Sequence, residues 1–353
     1  MIRDNLTPFP SPTAAPGEGT PVQPQRRGRA ERTPTNPLGP QSFPSLAAAP
    51  VPAWARASGR AGQGDPLFAA GAGLALLDAH LRRDPPCAGA WRSRLALMST
   101  AASAKILRLN ADAAALRDLR FAAGEAAGPA ARLLRLWREL AGRPPSLDPG
   151  RILAAAAALD LLTPNPNALA ESLRERVRGG EDPVSAAAKA AASAFSAFPD
   201  APAAEAEILA LYAFDLALAI RLRWPRPRPL IATKILDPTL RPPDAGRRPR
   251  PGEPAWEKHA AQAIALAAAS ALDLAAHLSH RSETLLAVAP NLRAKPALKI
   301  VDLLLAEDCV SPAEAARQAA MTDRAARRLF DRLVALGAVR ELTGRPAFRL
   351  YGL

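Results

Sequence analysis

Apolar positions along most of this chain recur at helical spacing rather than in strand-like alternation. Leu74, Leu77 and Leu81, with Leu76 beside them, predict a helix that begins near Leu67 and is ended by Asp84-Pro85-Pro86. A second helix is expected from Cys87 to Asn110, with Trp91, Leu95, Leu97, Ile106 and Leu107 as its apolar positions. Further helices are expected over 111–124 and 129–141, before Gly142-Arg143-Pro144-Pro145 breaks the chain, and over 150–162, 166–178, 183–197 and 202–222. The run Arg223-Trp224-Pro225-Arg226-Pro227-Arg228-Pro229 must leave the helix, because successive prolines remove donors and clash with the preceding turn. It reads as a loop capping the body, with a phosphate-binding strip as the alternative. A short helix near 230–236, a Pro/Arg loop over 237–253 and a long helix over 254–288, stopped by Pro290, complete the body. No repeat period is visible.

The tail has a denser set of signals. Lys295 to Cys309 reads as one helix, with Ala297, Ile300, Val301, Leu304 and Leu305 on its apolar side. Ser311-Pro312-Ala313-Glu314 is a helix start: serine caps, proline suits the first helical position, and glutamate three residues on closes a capping box. That short helix runs to Ala319. After Ala320-Met321, Thr322 is placed to cap a third helix that runs to Leu336, with Gly337 placed to end it. Two helices joined by so short a turn form a helix-turn-helix. Met321, Ala326, Leu329, Leu333 and Leu336 are the expected core side of the last helix, and Arg324, Arg327, Arg328 and Asp331 its opposite face. Val339–Leu342 and Phe348–Tyr351 can pair through the turn Thr343-Gly344-Arg345-Pro346, which puts Arg345 near the tip of a hairpin. Three helices followed by a hairpin is the winged form of the motif.

Composition agrees with helices. Alanine and leucine dominate and only 5% of residues are aromatic, whereas strands favour the β-branched and aromatic types that are sparse here. The first 65 residues differ in kind: prolines 8, 10, 12, 16, 21 and 24 come in quick succession among Gly, Ser and Thr, and such a segment is expected to be disordered. The expected organisation is a disordered arm (1–65), a helical domain (66–290) and a winged helix-turn-helix domain (291–353). The net charge of +13, almost all of it from arginine, suits an anionic partner, nucleic acid first. High-GC coding produces the same balance, so the charge alone does not decide.

Candidate chemistry adds little. Cys87 and Cys309 lie far apart, and neither has a neighbour at metal-ligand spacing. His277 and His280 share one helix with His259 upstream, but no carboxylate or cysteine completes a metal set. Neither a P-loop nor a Gly-x-Ser-x-Gly elbow occurs, and Gly71-Ala72-Gly73 fits helix packing better than nucleotide binding. The most apolar run, Ala203 to Ile220, is interrupted by Glu205, Glu207 and Asp215, and Arg26-Arg27 is not followed by an apolar stretch. The expectation is a cytoplasmic non-enzyme with no catalytic residues, metal or cofactor, and no membrane partner.

Several stretches are similar to a known family. They include Ala90-Trp91-Arg92-Ser93-Arg94-Leu95-Ala96-Leu97, the run Arg223 to Leu230, Arg250-Pro251-Gly252-Glu253-Pro254-Ala255 and Leu285-Leu286-Ala287-Val288-Ala289-Pro290. The closing runs Arg328-Leu329-Phe330-Asp331-Arg332-Leu333, Arg340-Glu341-Leu342-Thr343-Gly344-Arg345 and Phe348-Arg349-Leu350-Tyr351-Gly352-Leu353 are the most specific. Over about Leu67 to Leu353 the chain resembles the bacterial family catalogued as domain of unknown function 1403, which is mainly alphaproteobacterial and often plasmid-borne. The resemblance implies a shared fold and brings no activity or catalytic residues. A similar tail closes some Fic-related proteins, but the Fic signature is absent here.

The fold expected is therefore all-α: a multi-helical body, then a winged helix-turn-helix with a small hairpin. The function expected is binding of double-stranded DNA through that tail. Arg324, Arg327, Arg328 and Arg345 would lead the contact, with Thr322 and Lys295 touching phosphates. The alternative is a protein-interaction adaptor of plasmid maintenance or partition, whose winged helix docks another protein. A regulator that senses a small molecule is the third reading.

Overall fold

Among the described residues, five α-helices open on the same dipeptide device, an Asx or Ser cap followed by proline. In the computed structural model, Asp65, Asp148, Asn165, Asp182 and Ser311 each accept a hydrogen bond from a backbone N–H two or three residues on. Proline then occupies the first turn, where its missing N–H costs nothing. The structure describes residues 48–56, 64–121, 128–162, 165–241, 247–292, 295–345 and 348–353. Most of the arm expected to be disordered lies outside these.

In chain order the helices are α1 (Pro66–Arg82), α2 (Ala88–Ile106), α3 (Ala113–Phe121), α4 (Pro129–Gly142), α5 (Pro149–Ala157), α6 (Pro166–Arg178) and α7 (Pro183–Ser196). They continue with α8 (Ala203–Arg221), α9 (Ile231–Lys234), α10 (Trp256–Val288), α11 (Lys295–Ala306), α12 (Pro312–Ala319) and α13 (Asp323–Ala335). Two short strands, β1 (Arg340–Glu341) and β2 (Tyr351–Gly352), pair antiparallel. The protein is mostly helical, as its alanine and leucine content predicts.

Helix α8 is the centre of the body. Every residue from Ala206 to Ala219 is buried, and a helix apolar on all sides belongs inside a fold. Alanines 186, 187, 190, 191 and 194 of α7 are buried as well, and their small side chains let α7 lie close along α8. Long α10 packs on α1. There a β-carbon added to Gly73 would stand 2.9 Å from the Ala268 Cβ, so that glycine serves helix packing. Among the described residues, the segment long and apolar enough to cross a membrane, by length and composition, is Trp256–Asn291 rather than the run ending at Ile220. Of its apolar window, 56% is buried against the rest of the protein, as in a core helix.

Asp215 has a use that the apolar run around it conceals. It is fully buried in α8 and accepts N–H bonds from Leu230 (2.9 Å) and Ile231 (3.2 Å), which caps α9 from another helix. Burial pushes its carboxyl up to about 8, against the pull of those two donors. Three tryptophans also tie elements together through their indole N–H. Trp137 donates to Ser103, Trp256 to the Ala188 carbonyl, and Trp224 to Asp78. Trp224 thereby clamps the Pro/Arg run onto α1, which is the capping role expected of that loop.

Some expected boundaries move. Helix α8 stops where Arg223 takes φ +54° and the Trp224 N–H returns to the Ala219 carbonyl at 2.9 Å. Arg108 and Asp160 at φ +55° follow the ends of α2 and α5 in the same way, so both helices are shorter than expected. Residues 48–56, inside the arm expected to be disordered, carry a 3-10 turn and bury Ala48, Val51 and Ala55 in the body core. From Leu46 to Leu353 the chain forms one compact unit, and the seam expected near residue 291 is bridged by the contacts described next.

Candidate nucleic-acid interface

The tail is built on α11 to α13 and the small hairpin. Ser311 Oγ accepts from the Glu314 N–H at 3.1 Å, which starts α12. The Glu314 carboxylate does not close the expected box. It takes two bonds from Arg120 of α3, at 3.1 and 3.3 Å. Alanines 315, 316 and 319 are buried, and their small side chains let α12 pack closely. Ala320 then takes a left-handed conformation, φ +52°, which turns the chain sharply into α13. Thr322 Oγ1 accepts from the Ala325 N–H at 3.2 Å and caps α13 as its position predicts.

Ala326, Phe330 and Leu333 form the buried face of α13, with Met321 and Leu329 half-buried beside them. Phe330 was not among the expected core positions. Its ring stacks on Tyr351 of β2, with centroids 4.4 Å apart and planes within 10°. Leu336, expected inside, is 46% exposed because the helix ends before it. β1 and β2 are shorter than expected, and β2 lies at residues 351–352 rather than 348–351. The Glu341 carboxylate accepts from the N–H groups of Thr343 and Gly344, both at 2.8 Å, and so draws that segment out of the ladder. Val310, between α11 and α12, bridges Tyr351 on the other side. Three backbone segments therefore meet at one residue.

The exposed face of α13 divides into two rows. Arg324, Arg328 and Arg332 lie four residues apart, so they share one stripe of the helix. All three are exposed, and among the described residues none has an ion-pair partner. The adjoining row is neutralised: Arg327 pairs with Asp323 at 2.8 Å, and Asp331 lies 3.7 Å from Arg349 of the hairpin. Beside this row is a cleft of about 270 Å³, lined by Ser311, Pro312, Asp323, Arg327, Asp331 and Arg349 among others. Lys295 is exposed on the first turn of α11.

Arg345 does not stand free at the hairpin tip. Its Nη1 lies 2.6 Å from Asp118 Oδ2 on α3, and Phe348 meets Phe121 of α3 edge to face, with centroids 6.2 Å apart. The grouping of Arg345 with the α13 arginines is therefore not observed. Sequence reasoning missed Arg332, whose four-residue spacing from Arg328 was the available signal. It also missed Asp118, which lies in a different helix and carries no local mark.

A second set of arginines forms a clasp between the tail and the body. Arg94 of α2 and Arg117 of α3 both hold the buried carboxylate of Asp308, the latter at 2.6 Å. Arg138 of α4 reaches Glu307 at 3.1 Å, and Arg120 binds the Cys309 carbonyl. Two glycines permit the close fit. A β-carbon on Gly89 of α2 would stand 2.6 Å from the Ala306 Cα of α11, at the seam, and within the tail one on Gly352 would stand 2.5 Å from the Asp308 carbonyl oxygen. Cys309 and Cys87 are free and buried. His277 and His280 are exposed on α10 and His259 is buried eighteen residues before His277, a separation of ~27 Å along a helix. These three do not converge.

The family model described as "Protein of unknown function (DUF1403)" matches residues 44–353. The chain belongs to that family. The match begins ahead of the Leu67 expected from the residues alone, and it takes in the buried Ala48, Val51 and Ala55. It also runs through β2, so body, clasp and tail all belong to the family's chain. No curated protein matches.

Proposed function

We propose that this protein binds double-stranded DNA without catalysing a reaction, through a C-terminal winged helix formed by α11 to α13 and the hairpin. The observation that carries the reading is the unpaired stripe Arg324, Arg328, Arg332 on an exposed helix. Like charges four residues apart destabilise a helix by a few tenths of a kcal/mol per pair. The neighbouring row of the same helix shows that compensation by aspartate is sterically feasible. A stripe left uncompensated beside it suits an external polyanion.

The chain order supports the same reading. A helix, the bridging Val310, two helices joined by the turn at Ala320–Thr322, and a hairpin whose last strand meets Val310 follow the winged arrangement. In that geometry residues of α13 reach the major groove, and Arg324 and Arg328 contact base edges or phosphates. Arg327 would reach DNA only by sharing its charge with Asp323. Thr322 and Lys295 are placed for phosphates.

The test is fluorescence anisotropy of the full chain on mixed-sequence duplex across a salt series, with the triple variant R324A/R328A/R332A alongside. The expected result is binding that weakens steeply with salt. The triple variant should lose about 1–3 kcal/mol per base-reading arginine and lower the salt slope by about one per lost phosphate contact. Equal binding by both proteins would overturn the assignment. An absence of binding at low salt would favour the adaptor reading, in which this face docks a protein.

A further inference from the structure

Among the described residues, the most buried arginine has no ion-pair partner. Arg228, in the Pro/Arg run clamped by Trp224, is 3% exposed, and its guanidinium carbon lies 5.4 Å from the centroid of the Trp91 ring. Its Nη1 donates to carbonyls of its own run, those of Arg226 (3.0 Å) and Pro227 (3.4 Å), and among the described residues its enclosed Nε has no partner. His80 meets the edge of the same Trp91 ring, with centroids 5.4 Å apart. Both imidazole nitrogens and the Trp91 indole N–H are buried without partners.

More cations surround this group. Arg92 and Arg226 each act on Arg228 electrostatically, and Arg83 acts on His80. Asp84 is the carboxylate that reaches Arg228, yet among the described residues it makes no ion pair with any of these arginines. Burial and the neighbouring arginines pull the Arg228 guanidinium down to about 9. The contrast with the rest of the fold is sharp. Arg94, Arg117, Arg120 and Arg248 are also largely enclosed, and each has a carboxylate. Leaving a buried cation unpaired is costly, so the lack of a carboxylate at Arg228, where these four arginines each have one, points to an anion from outside.

We infer that Arg228, Arg92 and Arg226, with the unpartnered nitrogens of His80 and Trp91, form a binding site for a phosphoryl group, under the loop that runs from Arg223 to Leu230. Planar guanidinium donors and N–H groups without acceptors suit a tetrahedral oxyanion. Arg226 is exposed, with its Nη1 held by the Gly142 carbonyl and, among the described residues, its other donors open, and Arg92 is half-buried, so the charge leads inward from the surface to Arg228. This site lies on α1, α2 and the Pro/Arg run, apart from the arginine stripe of α13, and it does not depend on the DNA reading.

The test is thermal unfolding of the full chain at constant ionic strength, with sodium chloride replaced stepwise by phosphate or by pyrophosphate. A parallel series uses a duplex without terminal phosphates. The wild-type midpoint should rise with the logarithm of ligand concentration above Kd, by about 3 °C at twentyfold excess. R92Q/R226Q should lose that rise, and R324A/R328A/R332A should keep it. Should the double variant fail to fold, R226Q alone carries the test, since that side chain is exposed. A response to phosphate or pyrophosphate assigns the site to a free phosphorylated ligand. A response to duplex alone, lost in R92Q/R226Q, assigns it to a nucleic-acid backbone. The absence of any rise, or an equal rise in R92Q/R226Q, would overturn the site.

Discussion

Arg345, at the turn of the C-terminal hairpin, is paired with Asp118 on α3, 2.6 Å from Nη1 to Oδ2. One of the four arginines expected to lead the DNA contact is thus engaged by the body of its own chain. Phe348 and Phe121 reinforce the contact from the same two elements.

This pairing leads to a first prediction. Asp118→Asn should change stability by less than about 1 kcal/mol, because the Arg345 side chain is half exposed and such pairs are weak. It should nonetheless tighten binding to duplex several-fold at low salt by freeing Arg345. Anisotropy checks this, and unchanged or weaker binding would show that the hairpin does not compete between α3 and DNA.

A much larger loss is expected at the clasp. Asp308 is 5% exposed and is held by both Arg94 and Arg117. Asp308→Ala strands two enclosed cations and should cost about 3–5 kcal/mol. Urea denaturation measures it. A loss below 1 kcal/mol would mean that the tail rests on the body without being locked to it.

The left-handed turn at Ala320 is a place where the protein can be improved. An alanine at positive φ costs about 1 kcal/mol that glycine does not. Ala320→Gly should therefore raise the unfolding free energy by roughly 0.5–1 kcal/mol, after allowance for the greater freedom of glycine in the unfolded chain. A lower melting temperature in the variant would contradict the backbone assignment.

Acid sensitivity should trace in part to His259. Burial, with Arg248 nearby, lowers its pKa from 6.5 to about 4. The unfolded chain then binds the proton more readily, so stability is full above 6.5 and is lost as pH falls toward 4. Asp215 acts in the opposite sense, since its raised pKa removes stability as pH rises from 3.8 through about 8. His259→Leu should shrink the loss of unfolding free energy between pH 7 and pH 4.5 by about 2 kcal/mol relative to the parent. Parallel pH curves for the two proteins would refute this.

What the sequence determined by itself was local. Proline after an Asx or Ser cap, apolar recurrence at three and four residues, and the Thr322 cap are interactions within a few residues of chain. They were legible as helices, and the closing motifs were legible as a family. Only the tertiary structure decided which charges remain free. Arg324, Arg327, Arg328 and Arg345 are alike as residues, yet two remain unpaired, one answers to Asp323 on its own helix, and one to Asp118, more than two hundred residues away. The same holds for Glu314, drawn from its capping box by Arg120, and for Arg228, left without a carboxylate beneath its own loop. Charge pairing depends on distance in space, and packing of the helices sets that distance.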